Sequence, residues 1–204
     1  MIRDKIPDSP SPATQASSRP TTWCRGRLAA KRRPALPPTI ETALPVNEPR
    51  AVVLRPARLD EARAMAEMSR DLIEFGLGWR YTPARMATLI RDTETTAVVA
   101  CDGPRLHGFA AMHFGDEKAH LLLLCVQPSQ QRRGIGRCLT EWLLESARVA
   151  GIITIALELR ADNPAALAFY RRLGFIETQL VPGYYSGHVA ARRMQMPLRP
   201  ASGI

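Results

Sequence analysis

The 204-residue chain lacks any apolar run near the roughly 20 residues that a bilayer-crossing helix requires, which argues for a soluble protein and against a membrane partner. It is poor in cysteine. Cys24, Cys101, Cys125 and Cys138 form no CxxC pair and no spacing suited to zinc, which excludes a disulfide framework and a structural metal. Free thiols are expected, in a reducing, cytoplasmic compartment. The histidines His107, His113, His120 and His188 also lack a metal-ligand spacing, so each is read as structural. Phosphate motifs are missing as well. No Gly-Lys-Ser/Thr closes a P-loop, and no third glycine completes a dinucleotide fingerprint.

Acidic residues are in deficit, 19 against 28 Lys and Arg, for a formal charge of +9. Residues 1–48 carry a net +4 of this (eight basic, four acidic) and are rich in Pro, Ser and Thr without apolar periodicity. Such a stretch cannot bury enough surface to offset its ordering entropy, so a disordered tail is expected. It has no apolar core of a secretory signal, and Asp4, Asp8 and eight prolines argue against the amphipathic helix of an organelle presequence. With Trp23 its sole aromatic and a modest charge, it is a poor nucleic-acid binder.

Residues 50–200 read as one domain. AVVLRPA is a strand. The stretch 59–75 is a helix with an apolar stripe at Ala62, Met65, Met68, Leu72 and Phe75. After the loop GLGWRYT, Thr82 and Pro83 open a second helix. TTAVVAC, RLHGFAAMHF and KAHLLLLCV follow as strands. A third helix ends at Gly151, then IITIALELR is a strand. Asn163 caps a fourth helix that starts at Pro164 and stops at Gly174. Two last strands, FIETQLV and VAARRMQMPL, flank PGYYSGH. The order β-α-α-β-β-β-α-β-α-β-β implies a mixed sheet with helices on both faces.

Between the strand ending at Val126 and the third helix lies VQPSQQRRGIGR. A helix start offers outward N–H donors and a positive dipole end, which suits a diphosphate. Gly134 and Gly136 allow close backbone approach, and Arg132, Arg133 and Arg137 add charge. A glycine-containing turn with solvated arginines would look the same in isolation. The wider arrangement, Val126-x-Pro128 followed by Gln131-Arg132-Arg133-Gly134-Ile135-Gly136 and an amphipathic helix, resembles the acetyl-CoA signature of the GCN5-related N-acetyltransferase (GNAT) superfamily. NPAALAFYRRLGF resembles that superfamily's second segment, Asn-x-x-Ala-x-x-x-Tyr-x-x-x-Gly-Phe. The likeness covers about residues 51–199, and within the superfamily it is nearest to the subgroup that acetylates the N-terminal alanine of a ribosomal protein.

The resemblance implies an α+β GNAT fold, mostly antiparallel, and an acyltransferase using acetyl-CoA as co-substrate. It implies that the amides of Arg132, Arg133, Gly134, Ile135, Gly136 and Arg137 hold the diphosphate, with Gln131 in the same cofactor-binding turn. The backbone of Leu124, Cys125 and Val126 would pair with the pantetheine arm as an added strand would. Asn163 would touch the cofactor, cap its helix, or both. Tyr170 matches the tyrosine that faces the CoA sulfur and would act as general acid, with Phe169 the core residue through its i, i+4 partner Leu173. Glu158, an acidic residue in an apolar strand, is either a general base with a pKa raised by burial or a carboxylate paired with Arg160. Tyr184 and Tyr185 either line the acceptor groove or pack a turn. Trp79 and Tyr81 belong to the loop that normally covers the acceptor. No covalent cysteine step is implied, since Cys125 lacks a partner base.

The acceptor that the resemblance implies is a primary amine, either a protein N-terminus or a small molecule, the former preferred. An α-amine of pKa about 7.8 costs about 1 kcal/mol to hold neutral at pH 7, against about 4.6 kcal/mol for a lysine. A sensor that binds acyl-CoA without turnover would keep the Arg132–Arg137 turn but would not need Tyr170. Whether the chain pairs with itself as a homodimer is left open.

Overall fold

The computed structural model describes residues 52–198; the tail expected over 1–48 lies outside the described residues. The elements are β1 (Val53–Pro56), α1 (Ala62–Leu72), α2 (Pro83–Arg91), β2 (Thr95–Asp102), β3 (Arg105–Phe114), β4 (Lys118–Val126), α3 (Ile135–Val149), β5 (Thr154–Arg160), α4 (Pro164–Arg172), β6 (Ile176–Tyr185) and β7 (Val189–Pro197). Their order is the one expected. The seven strands form one sheet in the order β1-β2-β3-β4-β5-β7-β6. Only β4 and β5 pair in parallel; the other neighbours are antiparallel.

Both faces are covered over β2, β3 and β4, whereas β5 and β7 are covered on the α3–α4 side. On one, Met65 and Ala66 of α1 and Met86 and Leu89 of α2 pack on Val99, Phe109, Leu123 and Cys125. On the other, Leu139, Trp142 and Leu143 of α3 and Tyr170 of α4 pack on Val98, Ala110, Leu121, Ile155, Leu157 and Met194. Each buried Val, Leu, Ile, Phe or Met among them contributes about 1.5–3 kcal/mol by leaving water. Covering on both sides explains why β2 is an unbroken apolar run instead of an alternating one.

Local signals set the helix ends. Thr82 Oγ1 accepts from the Arg85 N–H at 3.4 Å, and Asn163 Oδ1 from the Ala166 N–H at 2.9 Å. Beyond α3, the Gly151 N–H donates to the Arg148 carbonyl and the Ile152 N–H to that of Ala147, a Schellman closure. Gly174 closes α4 the same way: the Phe175 N–H donates to the Tyr170 carbonyl at 3.0 Å, and the Phe175 ring meets the Tyr170 ring edge-on at 5.5 Å. The cap that stops α4 thereby fixes Tyr170.

Three expectations are corrected. Leu72 and Phe75 do not join the buried stripe of the first helix; they are exposed, Phe75 at 77%. The buried face runs through Ala62, Met65, Ala66 and Ser69 at i, i+4 spacing, and the helix ends before Phe75. Phe169 is only half-buried, and Tyr170 is the more buried of the two. PGYYSGH is not a free connection. β6 continues through Tyr185, and its outer position in the sheet tolerates Pro182.

β4 carries a bulge. Ala111 pairs with Leu123 but Met112 with Leu121, so Leu122 is an extra residue. Because side chains alternate with period two, the insertion swaps faces along the strand. Ala119 and Leu121 join the α3–α4 core, whereas Leu123 and Cys125 join the α1–α2 core.

Candidate active site

β4 and β5 pair only at Lys118–Thr154, Ala119–Ile155 and His120–Ala156. Beyond that point β4 runs on to Val126, still paired with β3, and β5 to Arg160, still paired with β7. The two strands therefore diverge and leave a gap with an unpaired edge on β4. The Gln127 N–H donates across to His107 on the β3 side. By alternation the main-chain groups of Leu124 and Val126 face the gap. One of them, the Val126 carbonyl, accepts from Gln131 Nε2 at 3.1 Å.

α3 opens beside the mouth of this gap. A single 3-10 turn at Pro128–Gln130 reverses the chain, and Arg132 (φ 63°) and Gly134 (φ 86°) adopt left-handed conformations before the helix begins. The first helical bond runs from the Cys138 N–H to the Gly134 carbonyl at 3.0 Å. Among the described residues, none accepts from the N–H groups of Arg132 through Arg137. Six consecutive donors at a positive dipole end are the arrangement a diphosphate needs. The strained conformation of Arg132 was not foreseen, since only glycine announces positive φ in a sequence. A Cβ placed on Gly136 would meet Val126 Cγ2 at 3.6 Å and the Phe169 ring at 3.7 Å, so α4 borders the same corner.

Tyr170 lies edge-on to Phe169 and Phe175. Burial, then the nearby Tyr185, push its phenol well above the ordinary range, so it keeps its proton at neutral pH. Cys125 is buried, with Sγ 3.7 Å from the Met68 carbonyl, and burial raises its thiol to about 12. A thiol so placed is not a nucleophile near neutrality.

Glu158 departs from expectation. Arg160 does not pair with it; that guanidinium binds Asp162 at 2.9 and 3.0 Å. Glu158 instead meets His120 Nε2 at 2.7 Å and Arg193 Nε at 3.3 Å, Arg193 being its cross-strand partner on β7. Burial does push its pKa upward and is the largest single effect. The hydrogen bond and charge of His120, followed by the charge of Arg193, outweigh it, so the carboxylate is held below its usual range. His120, read from the sequence as structural, is the residue whose contact with Glu158 was not foreseen. It stands at the last paired position before β4 and β5 separate, a place only the sheet register reveals.

The residues expected on the acceptor side lie on the end of β6 and the α1–α2 loop, near Glu158 of β5 and Arg193 of β7. Tyr184 and Tyr185 meet edge-on at 4.9 Å, and the Arg193 guanidinium lies 5.9 Å from the Tyr184 ring. Tyr81 sits under Arg85 at 5.3 Å, and burial raises its phenol. Burial also raises Tyr184 and Tyr185, whose phenols both feel Glu158 and Tyr81. Tyr81, Tyr184, Tyr185 and Glu158 are thus brought together. Trp79 stands apart, its ring under Arg70 at 5.2 Å and its Nε1 donating to the Tyr81 carbonyl at 3.1 Å. Among the described residues no group of three His, Cys, Asp or Glu could hold a metal ion, and no helix is long and apolar enough to cross a membrane.

The sequence profile of the acetyltransferase (GNAT) family matches residues 63–175, more than half of the chain. The chain belongs to this family. A [ribosomal protein bS18]-alanine N-acetyltransferase of Salmonella typhimurium is 39% identical over 97 residues, 46% of this chain and 66% of that protein. The chain thus spans just under two thirds of that relative's length. Among solved structures, Ard1 from Thermoplasma volcanium has a TM-score of 0.65 at 25% identity, over 72% of this chain and 98% of that one. Arabidopsis thaliana NAA60 in complex with acetyl-CoA has a TM-score of 0.64 at 16% identity, over 72% and 99%, a likeness of fold alone.

Proposed function

We propose that this GNAT-family protein transfers the acetyl group of acetyl-CoA to a primary amine, the α-amine of a protein N-terminus before a small amine. The observation that carries this is the row of unengaged N–H groups from Arg132 to Arg137, set at the mouth of the gap between β4 and β5. Those donors, with the arginine charges, suit the diphosphate. The open edge at Leu124 and Val126 suits the amide-bearing pantetheine arm as an added strand. Asn163 spends its Oδ1 on the helix cap and keeps its amide nitrogen for the ligand.

When bound, acetyl-CoA supplies an activated acyl carbonyl and a thiolate leaving group. The chain's part is to manage two protons. His120 donates through Nε2 to Glu158, which fixes the tautomer and leaves Nδ1 to take the amine's proton. A carboxylate held below its usual range is a weak base by itself but a good stabiliser of the imidazolium that results. On this reading the base is the His120–Glu158 pair. Tyr170, which stays protonated, holds the proton for the departing sulfur. Tyr81, Tyr184 and Tyr185 line the acceptor groove, with Trp79 supporting the loop from outside. The free thiols Cys101, Cys125 and Cys138 fit a reducing, cytoplasmic compartment.

The test is incubation with acetyl-CoA and a panel of peptides and polyamines, following thiol release and product mass. One thiol released per acetylated amine is the expected result. Saturable acetyl-CoA binding with no acetylated product would replace the transferase reading with that of an acyl-CoA sensor.

A further inference from the structure

Glu74, just past the end of α1, is buried at 6% exposure. Its carboxylate accepts from Ser69 Oγ at 3.3 Å, from the Arg80 N–H at 2.8 Å and from the Tyr81 N–H at 3.3 Å. No cation forms an ion pair with it among the described residues. Burying an unpaired carboxylate is costly unless its lone pairs are used, and two of these three donors are backbone groups of residues 80 and 81. At the other end of the loop, Arg160 Nη1 on β5 donates to the Phe75 carbonyl at 2.9 Å. The segment from Phe75 to Tyr81 is therefore clamped at both ends across the acceptor face. So much buried polar structure for one short loop means that the placement of Arg80 and Tyr81 matters.

The charges around the groove show what Arg80 is placed to do. Arg193 faces Glu158, Arg160 faces Asp162 and Arg70 faces Asp71. Arg80 meets no carboxylate among the described residues, although its charge reaches both Tyr81 and Tyr184. Glu158 is already shared between His120 and Arg193 and cannot also serve it. Arg80 is thus a half-buried residue whose charge meets no carboxylate among the described residues, carried on backbone that Glu74 holds.

We propose that Arg80 is a specificity residue of the acceptor site and receives a carboxylate that the acceptor carries close to its reacting amine. A guanidinium on a fixed backbone suits that group through its paired donors. The carboxylate belongs either to an Asp or Glu at the second position of a peptide N-terminus or to a small amino acid's own α-carboxylate. Glu74 is the positioning residue behind it. The inference rests on the transferase reading for the identity of the groove, but its readout is charge preference, which that reading leaves open.

The experiment uses the full chain saturated with CoA or acetyl-CoA and hexapeptides beginning Ala-Asp, Ala-Ala and Ala-Lys, with free alanine and alaninamide as the small pair. Binding is followed by calorimetry and acetylation by thiol release. The Ala-Asp peptide should exceed the Ala-Lys peptide by about tenfold or more, as expected for opposite against like charge at a partly buried site. Arg80→Glu should invert that order and Arg80→Lys should preserve it in weakened form. Glu74→Leu should raise the acceptor KM while leaving acetyl-CoA affinity unchanged, with Glu74→Gln restoring part of the loss. If the small pair carries the preference in place of the peptides, the carboxylate is the α-carboxylate. An order unchanged by Arg80→Glu overturns the inference even where acetylation proceeds. Arg80-dependent binding of the Ala-Asp peptide without acetylation supports the carboxylate site while refuting the transferase.

Discussion

Gly134 precedes α3 with φ 86°, and a Cβ built there would meet nothing within 4 Å. Gly134→Ala therefore introduces no clash. Its cost is the left-handed backbone, about 1–2 kcal/mol for a residue with a Cβ. At about 2–4 °C per kcal/mol for a chain of this size, Tm should fall by roughly 2–8 °C. The backbone relieves this strain by rotating toward the ordinary region, which turns adjoining N–H groups away from the direction shared by the others. A hydrogen bond to a charged group contributes about 1.5–3 kcal/mol, so losing one should raise the Kd for acetyl-CoA by about 10- to 150-fold. Gly151, at the far end of the same helix with φ 77° and equally open surroundings, is the matched control. Gly151→Ala should lower Tm by a similar amount and leave acetyl-CoA affinity untouched, because the C-terminal pole offers carbonyls in place of N–H groups. Calorimetric titration and thermal denaturation of both variants decide the matter. Wild-type affinity in Gly134→Ala, or equal losses in the two variants, would refute the donor-array reasoning.

Tyr170→Phe keeps the edge-on ring contacts with Phe169 and Phe175 and removes the proton; turnover should fall about 10²-fold or more with little change in acetyl-CoA affinity, measured by steady-state kinetics and calorimetry. Glu158 has a depressed pKa in the fold, below its ordinary 4.5, so its pairing with His120 and Arg193 stabilises the protein above that value and fades as the pH falls through the folded one. The Tm gap between wild type and Glu158→Gln should therefore be widest near neutrality and shrink in acid; a gap independent of pH contradicts the pairing. Cys125, raised to about 12 by burial, should resist alkylation by iodoacetamide in the native protein and react on unfolding, as read by mass spectrometry.

Much of the fold was legible because its signals are local. A residue such as Asn163 or Thr82 caps a helix through an N–H three positions on, and Gly151 and Gly174 close helices through their own backbone conformation, so neighbours in sequence suffice. The stretch around Gly134 could be read for the same reason, since a donor array at a helix start is made by consecutive residues. The side chains of the site were less legible. Leu72 and Phe75 fit a helical stripe on paper, but the helix end and the direction of the facing sheet left them in solvent. Tyr170 and Phe169 are adjacent and both aromatic, and only the packing of Phe175 through the Gly174 closure decides which is the more buried.

The sequence by itself determined the element order, the caps and the phosphate-suited turn, each written within a few residues. The tertiary structure alone decided that β4 and β5 part after His120, that the bulge at Leu122 exchanges the two faces of β4, and that Glu158 answers to His120 and Arg193 instead of Arg160. It alone set a buried Glu74 beneath the loop bearing Arg80 and Tyr81. Strand register and sheet order bring these groups together, and such long-range pairing leaves no periodic mark on the chain.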